Sequence, residues 1–419
     1  MKNKWLKIFL TSALLNSTGA LATLFISSDL LNYSVISGAA LTIEAGATVS
    51  GELAGEGAVG IGANATTGNV YSGAAAGTGA GSVVGNVYSS AATNIGANAT
   101  AGDIYSGDAT GTGDSSIIGQ IYSGAAANVA ANGITGDIYS VDATVTGAMS
   151  NVQNIYSGAA ITLGGGSSAG DVSAVGAITN PGAARSTDTV YDAELHNPVP
   201  FIEEYGTTFD TETAMAQISS AQASYNGLTD ESNPGINPGT SLAGDTTFTS
   251  GIYTGTSLTT AAGSTITLDG ENKENPFWLF NLSSALSVGA TNEFIIINAD
   301  ENASVVWNLG GALTLGASTS FIGTVLATGA ISGGAGSYLS CGNLFSKAAV
   351  AIGSVTSSDC PGLASNMAQP SSAPDDEPEA APAIYSPPGG ATTSVPEPST
   401  LAIFVLGLIV LVWRHRRLG

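Results

Sequence analysis

From about residue 34 to residue 173 the chain repeats itself every 17 residues without an insertion. Tyr71-Ser72, Tyr88-Ser89, Tyr105-Ser106, Tyr122-Ser123, Tyr139-Ser140 and Tyr156-Ser157 mark the beat. Each tyrosine follows Val or Ile, preceded by Asn69, Asn86, Asp103, Gln120, Asp137 or Asn154. Ser34-Val35-Ile36-Ser37 and Gly51-Glu52-Leu53-Ala54 continue the frame upstream, and Gly170-Asp171-Val172-Ser173 continues it downstream, making nine units. A fixed period this short means a solenoid. Seventeen residues are too few for a helical hairpin but enough for one β coil with glycine corners. At roughly 4.8 Å per coil, nine coils make a rod about 43 Å long. Side chains alternate along a strand, so Val70 and Ser72 share one side and Asn69 and Tyr71 the other. Amides and carboxylates rarely face a core. The tyrosines are therefore expected in a single exposed column, with Val/Ile and Ser inside.

Composition narrows the function. Of 419 residues, 56 are glycine and 10% are charged, too hydrophobic for disorder and too glycine-rich for an ordinary α/β enzyme. Three lysines (Lys2, Lys4, Lys7) open the chain and three arginines (Arg414, Arg416, Arg417) close it. Only Arg185, Lys273 and Lys347 lie between, against 32 acidic residues, a net of −29. Nucleic acid and anionic lipid are poor partners for such a body, because no basic surface replaces their counterions.

The organisation reads in order. Residues 1–22 have a lysine-rich start, an apolar run and Ala20-Leu21-Ala22, the parts of a secretory signal peptide. The 17-residue solenoid occupies 23–182. A connector and helix fill 183–240: Asn197-Pro198-Val199-Pro200 is extended, and Asp210 caps a helix over 211–225. Its stripe Met215, Ile218, Ala221, Tyr225 predicts that it lies alongside the solenoid. Residues 241–360 return to strands at a looser spacing. Ala312-Leu313-Thr314-Leu315, Ala330-Ile331-Ser332-Gly333 and Ala349-Val350-Ala351-Ile352 lie 18 and 19 residues apart. Wider spacing before them implies loops, and Phe277-Trp278-Leu279-Phe280 and Phe294-Ile295-Ile296-Ile297 are expected to form the best core. The fold class is thus all-β: a regular β-solenoid, one long α-helix alongside, and an irregular second solenoid section. Cys341 and Cys360 are one local period apart, within reach of a disulfide across stacked coils; two free thiols are the alternative. Residues 361–394 form a Pro/Ala/Ser-rich acidic linker.

The tail, 395–419, carries Pro396-Glu397-Pro398, an apolar run from Leu401 to Trp413, and Arg414 to Arg417. It resembles the PEP-CTERM sorting signal. That resemblance implies a Gram-negative source and processing by an exosortase. Transient inner-membrane anchoring through the apolar run and delivery to the cell surface, the extracellular matrix or the medium would follow.

A second resemblance spans 238–355. Thr247-Phe248-Thr249-Ser250-Gly251-Ile252-Tyr253, Leu268-Asp269-Gly270, Pro276 to Phe280, Val306-Trp307-Asn308-Leu309-Gly310 and Thr319 to Ala327 resemble the microbial ice-binding protein family. The resemblance implies a discontinuous β-solenoid with a flanking helix, and ice or its water layer as partner. The candidate ice-facing residues are Thr314 with Ser332, Thr319 with Ser337 and Thr356, and Thr324 with Asn343. The plainer reading is that solenoid strands simply expose Ser and Thr. The competing function is a non-catalytic surface adhesin or matrix protein, with the repeat as a stalk or as a ladder whose tyrosine column binds extracellular polysaccharide; the plainer reading of that column is that the rings stack on one another and stabilise the rod, or are covered by the helix. A lyase-like enzyme is weaker: His196 and His415 are the only histidines, and no nucleophile, phosphate-loop, cofactor or metal-ligand pattern occurs.

Overall fold

A computed structural model describes residues 25–179, 185–191, 210–228 and 235–355, the stretch 185–191 as backbone only. All belong to one compact unit, Met1–Ala368; the second unit, Gln369–Gly419, lies outside the described residues. The signal peptide, the connector 192–209, the linker and the sorting tail also lie outside them.

Three short strands per turn build a parallel β-solenoid with three faces. On the first face the tyrosine strands pair in strict 17-residue register, Tyr71 with Tyr88, Tyr105 with Tyr122, Tyr139 with Tyr156. On the second face, strands such as Leu41–Ile43 and Leu313–Leu315 join one 15-stranded sheet. The third face carries two-residue strands (Val83–Val84, Ile117–Ile118, Ile134–Thr135) in the repeat and a separate six-stranded sheet in the second section. Val70, Val87, Ile104, Ile121, Ile138 and Ile155 line the interior with Ser72 to Ser157, as the alternation requires.

The two sections form one rod. Leu344, Phe345 and Ser346, in the last described coil, pair with Val35, Ile36 and Ser37 of the first. Val350, Ala351 and Ile352 pair with Leu41, Thr42 and Ile43. The repeat therefore grows from one side of the first coil, and the second section stacks on the other side. The uninterrupted 17-residue frame expected from residue 34 begins one coil later: Ile36 pairs with Ala54, Leu41 with Val59 and Thr48 with Thr66, each 18 residues apart, because the first coil holds one extra residue.

The helix spans Thr211–Asn226, and the Asp210 carboxylate accepts from the Thr213 amide at 3.0 Å. It packs on the first face where the two sections meet. The outward column there continues the tyrosines as Ala54, Ile36, Phe345, Leu326, Asn308 and Asn281. Ala214, Ile218 and Ala221 share a buried cluster with the apolar members of that column. Gln222, absent from the sequence-derived stripe, is buried and donates to the Leu309 and Leu326 carbonyls, both at 3.1 Å. Asn281 donates to the Tyr225 carbonyl at 3.0 Å. A helix covering a sheet face needs polar partners where outward amides stand.

The long coils correct one expectation. The extra residues are longer strands, Thr265–Lys273 and Glu293–Ala299, rather than loops alone. The sheet of the second face keeps its register through them. Phe277–Leu282 is buried on both sides, by core and helix. Phe294 is buried, but Ile295 and Ile296 are only half-buried and Ile297 is exposed, because none of the described elements covers the third face there. Cys341 is buried and disulfide-bonded; Cys360, the other cysteine of the sequence, lies outside the described residues.

Gln222→Leu removes two hydrogen bonds that tie the helix to successive coils. It is expected to destabilise the protein by about 1–3 kcal/mol, read as a lower denaturation midpoint in urea. A fragment starting near residue 187 lacks the first coil and leaves Leu344–Ser346 and Val350–Ile352 unpaired. It is expected to aggregate or remain unfolded, which circular dichroism and gel filtration detect.

Candidate binding face

Each face has its own chemistry, because the corners decide which residues point out. Asn64, Asn98, Ser115, Asn132 and Met149 have positive φ, as do Gly81 and Gly166 at the same corner. Asn tolerates that region better than most residues, which accounts for the Asn64 and Asn98 copies. After such a residue the next side chain turns inward: Ala65, Ser82, Ala99, Ser116 and Ser150 are all buried.

The same corner rule relocates half of the candidate site. Thr319 follows Ser318 (φ 57°) and is fully buried, donating to the Gly289 carbonyl at 3.0 Å. Ser337 follows Gly336 (φ 68°) and is buried. Thr324 follows Gly323 (φ 102°) and is buried. Asn343 is half-buried and donates to the Tyr33 carbonyl at 2.8 Å. None of these four offers a free outward group, and Thr356 lies outside the described residues. Thr314 and Ser332 are neighbours on the second face, both exposed, their hydroxyls 3.4 Å apart.

That pair belongs to a longer column. Ser241, Thr259, Ser287, Thr314 and Ser332 are successive partners, followed by Ala351 and Thr42. Past Thr42 the column runs through Gly60, Gly77, Asn94, Gly111, Asn128 and Val145 to Thr162 and Thr179. Fourteen strand spacings make the face about 67 Å long. Beside it runs a second column of small residues: the carbonyls of Ala285, Ala312, Ala330, Ala349, Ala40 and Ala58 each accept from the next coil. No strand of this sheet contains a charged residue. The other two faces of the second section differ. The helix covers the first, and Asp269, Glu271, Lys273 and Glu293 charge the third, with Lys273 and Glu271 paired at 2.6 Å.

Residues 72–357, about two thirds of the chain, match the family model described as ice-binding-like. The chain belongs to the ice-binding-like family. Residues 394–417 match the PEP-CTERM protein-sorting motif, which contains Pro396, Glu397 and Pro398. The chain is thus an exported protein with a sorting signal, and the motif implies exosortase processing. Among solved structures it is similar to an ice-binding protein from the Antarctic ascomycete Antarctomyces psychrotrophicus, at 21% identity and TM-score 0.31 over 52% of this chain and 95% of that one. A glycosylated ice-binding protein from an Arctic yeast has 17% identity and TM-score 0.31 over 52% and 89%. An ice-binding protein from an Antarctic Flavobacteriaceae bacterium has 13% identity and TM-score 0.26 over 77% and 95%. At such TM-scores the family assignment stands on the match over residues 72–357 alone. No curated protein matches the chain.

The tyrosines of this family member form one outward column but are half-buried, not exposed, because they cover one another. Successive rings from Tyr71 to Tyr156 stand 4.8–5.0 Å apart with planes within 11°. That is offset stacking, worth about 0.5–1.5 kcal/mol per pair beyond area burial. The polar column beside them also serves the rod. The side-chain oxygens of Asn69, Asn86 and Asp103 accept from the backbone N–H one coil on, at 2.8, 2.8 and 2.7 Å. Gly85, Gly102 and Gly119 precede the donors because a Cβ there would lie 2.2–2.5 Å from those oxygens.

Burial, then the Glu52 and Asp29 charges, pushes the Tyr33 phenol up to about 12. Burial likewise raises Tyr71 and Tyr139, with Glu52 and Asp137 respectively adding to it. An unfolded tyrosine titrates near 10. The folded state thus holds these protons more tightly, and stability is full below pH 10 and lost as pH rises through about 12. Phenolate absorbance and circular dichroism followed together should show ladder ionisation and unfolding coinciding above pH 10, rather than free titration at 10.

Proposed function

We propose that this chain is an exported ice-binding protein that meets ice through the second face, centred on Ser241, Thr259, Ser287, Thr314 and Ser332. The observation that carries the placement is the absence of charge and cover on that face alone within the section. Its short hydroxyls and methyls stand at a fixed repeat, because every strand beneath them is hydrogen-bonded in register. Such a surface holds water weakly and in order, so its hydration layer can merge with a lattice. A charged or mobile side chain would orient water around itself instead. The repeat lengthens the same face past Thr42, so contact area grows with each added coil. Exosortase processing near Pro396-Glu397-Pro398 would release the rod at the cell surface or into the extracellular matrix of a Gram-negative cell, after transient anchoring by residues 401–413. The glycan-ladder form of the adhesin reading has less support, since the tyrosine rings it requires for polysaccharide are stacked face against face.

Thr314→Tyr places a bulky ring on the exposed column. Ice recrystallisation inhibition by the full chain should fall severalfold, with stability changed by less than about 0.5 kcal/mol. Thr319→Tyr, at a buried corner, should instead destabilise by about 1–3 kcal/mol or more. If Thr314→Tyr and Ser332→Tyr both keep wild-type activity, the contact surface lies elsewhere.

A further inference from the structure

The third face of the repeat presents an array that neither the core nor the helix uses. Its outward column pairs Thr48 with Thr66, Thr66 with Val83, Val83 with Thr100, Thr100 with Ile117 and Ile117 with Ile134, before turning polar at Asn151, Ser168 and Arg185. Six β-branched side chains thus follow one another at one-coil spacing. Val83, Ile117 and Ile134 are 46%, 50% and 49% exposed, among the largest exposures of any apolar side chain in the described residues. A solenoid of this composition has no need to place isoleucine outward: the equivalent column on the second face uses glycine, asparagine and threonine at every position of the repeat but Val145.

The surroundings keep the array flat. Two residues further along five of the six coils stand Gly68, Gly85, Gly102, Gly119 and Gly136, and the side-chain oxygens of Asn69, Asn86 and Asp103 fold back over Gly85, Gly102 and Gly119, tied to the backbone N–H one coil on rather than rising beside the stripe. The six positions themselves carry no charge. Asp114, the nearest charged residue before Ile117, sits on the corner towards the second face. β-Branched side chains have few χ1 states, so the methyl pattern is fixed by the backbone register beneath it.

We infer that this stripe is a second ice-contacting surface, separate from the second face; the inference rests on the ice-binding reading above. The geometry disfavours a second copy of the chain as occupant. Five coil spacings give a strip about 24 Å long and one side chain wide, far short of the ~800 Å² per partner of a stable protein interface. The net charge of −23 sets copies of the chain against one another. A lattice of water needs neither a large buried area nor opposite charge. It needs a rigid, uncharged, periodic surface, and Thr48, Thr66 and Thr100 add hydroxyls at the same repeat. Two adsorbing faces on one rod would let the protein hold ice along more than one plane.

The test uses the full chain, fluorescently labelled, adsorbed to a single-crystal ice hemisphere. Ile117→Lys/Ile134→Lys puts two charges on the stripe; Ile117→Thr/Ile134→Thr keeps the β-branched pattern. The lysine pair should lose one set of labelled planes and adsorb severalfold less, with an unchanged melting curve, while the threonine pair should match wild type. Wild-type labelling by the lysine pair overturns the inference and leaves the second-face reading standing. No labelling by the wild type removes the ice-binding reading itself. A wild-type dimer in sedimentation that the lysine pair dissociates makes the stripe a protein interface, and also overturns the inference.

Discussion

The molecule depends on one contact between residues about 310 positions apart. The Val350 amide donates to the Ala40 carbonyl at 3.0 Å, and the Ser37 hydroxyl to the Ala348 carbonyl at 2.9 Å. Closing a loop of that length costs about 5 kcal/mol of chain entropy. A few ladder hydrogen bonds, at roughly 0.5–1.5 kcal/mol net each, offset that narrowly. The helix supplies the rest. Its apolar side packs into a cluster with Ile36 and Ala54 from one section and Leu326 and Phe345 from the other, and fully burying one such side chain contributes about 1.5–3 kcal/mol. Lys347 and Ser219, 3.1 Å apart, add a polar tie at the same junction. The helix is therefore less a decoration of the rod than the clamp that makes two solenoids one.

Once the junction holds, the three faces divide the work. The first stabilises: helix at one end, stacked tyrosines along the rest. Half-burial of the phenols, which raises their ionisation range, is the electrostatic signature of that stacking. The second and third faces are left for the outside. Both carry periodic, uncharged side chains in the repeat, while the acidic residues collect on the first face and the corners, as with Asp103, Asp137, Asp108 and Asp142. A strongly acidic chain thus presents uncharged strips without losing the net charge that keeps a long rod soluble.

The corner between the second and third faces limits what can be read from alternation alone. Parity along a strand correctly separates Val70 from Tyr71. It fails across a left-handed residue, where one positive φ turns the following side chain inward. Thr319 and Ser337 look equivalent to Thr314 in a list of hydroxyls, yet they are buried. The signal was present, since Ser318, Gly336, Asn64 and Gly81 occupy matching turn positions, but only aligning the corners of both sections exposes it.

The sequence by itself determined the coil: its 17-residue length, its inward Val/Ile and Ser columns, its outward Tyr column and the capped helix. These are local properties, set by strand alternation, glycine corners and capping chemistry within a few residues. It also carried the sorting tail and the residues resembling an ice-binding fold. Only the tertiary structure decided that the last described coil stacks on the first. Leu41–Ile43 and Val350–Ile352 look like every other rung, so nothing local singles them out as partners. That stacking makes the second face one continuous sheet, and the pairing that produces it is a choice among equivalent edges, made by the helix clamp rather than by any single strand.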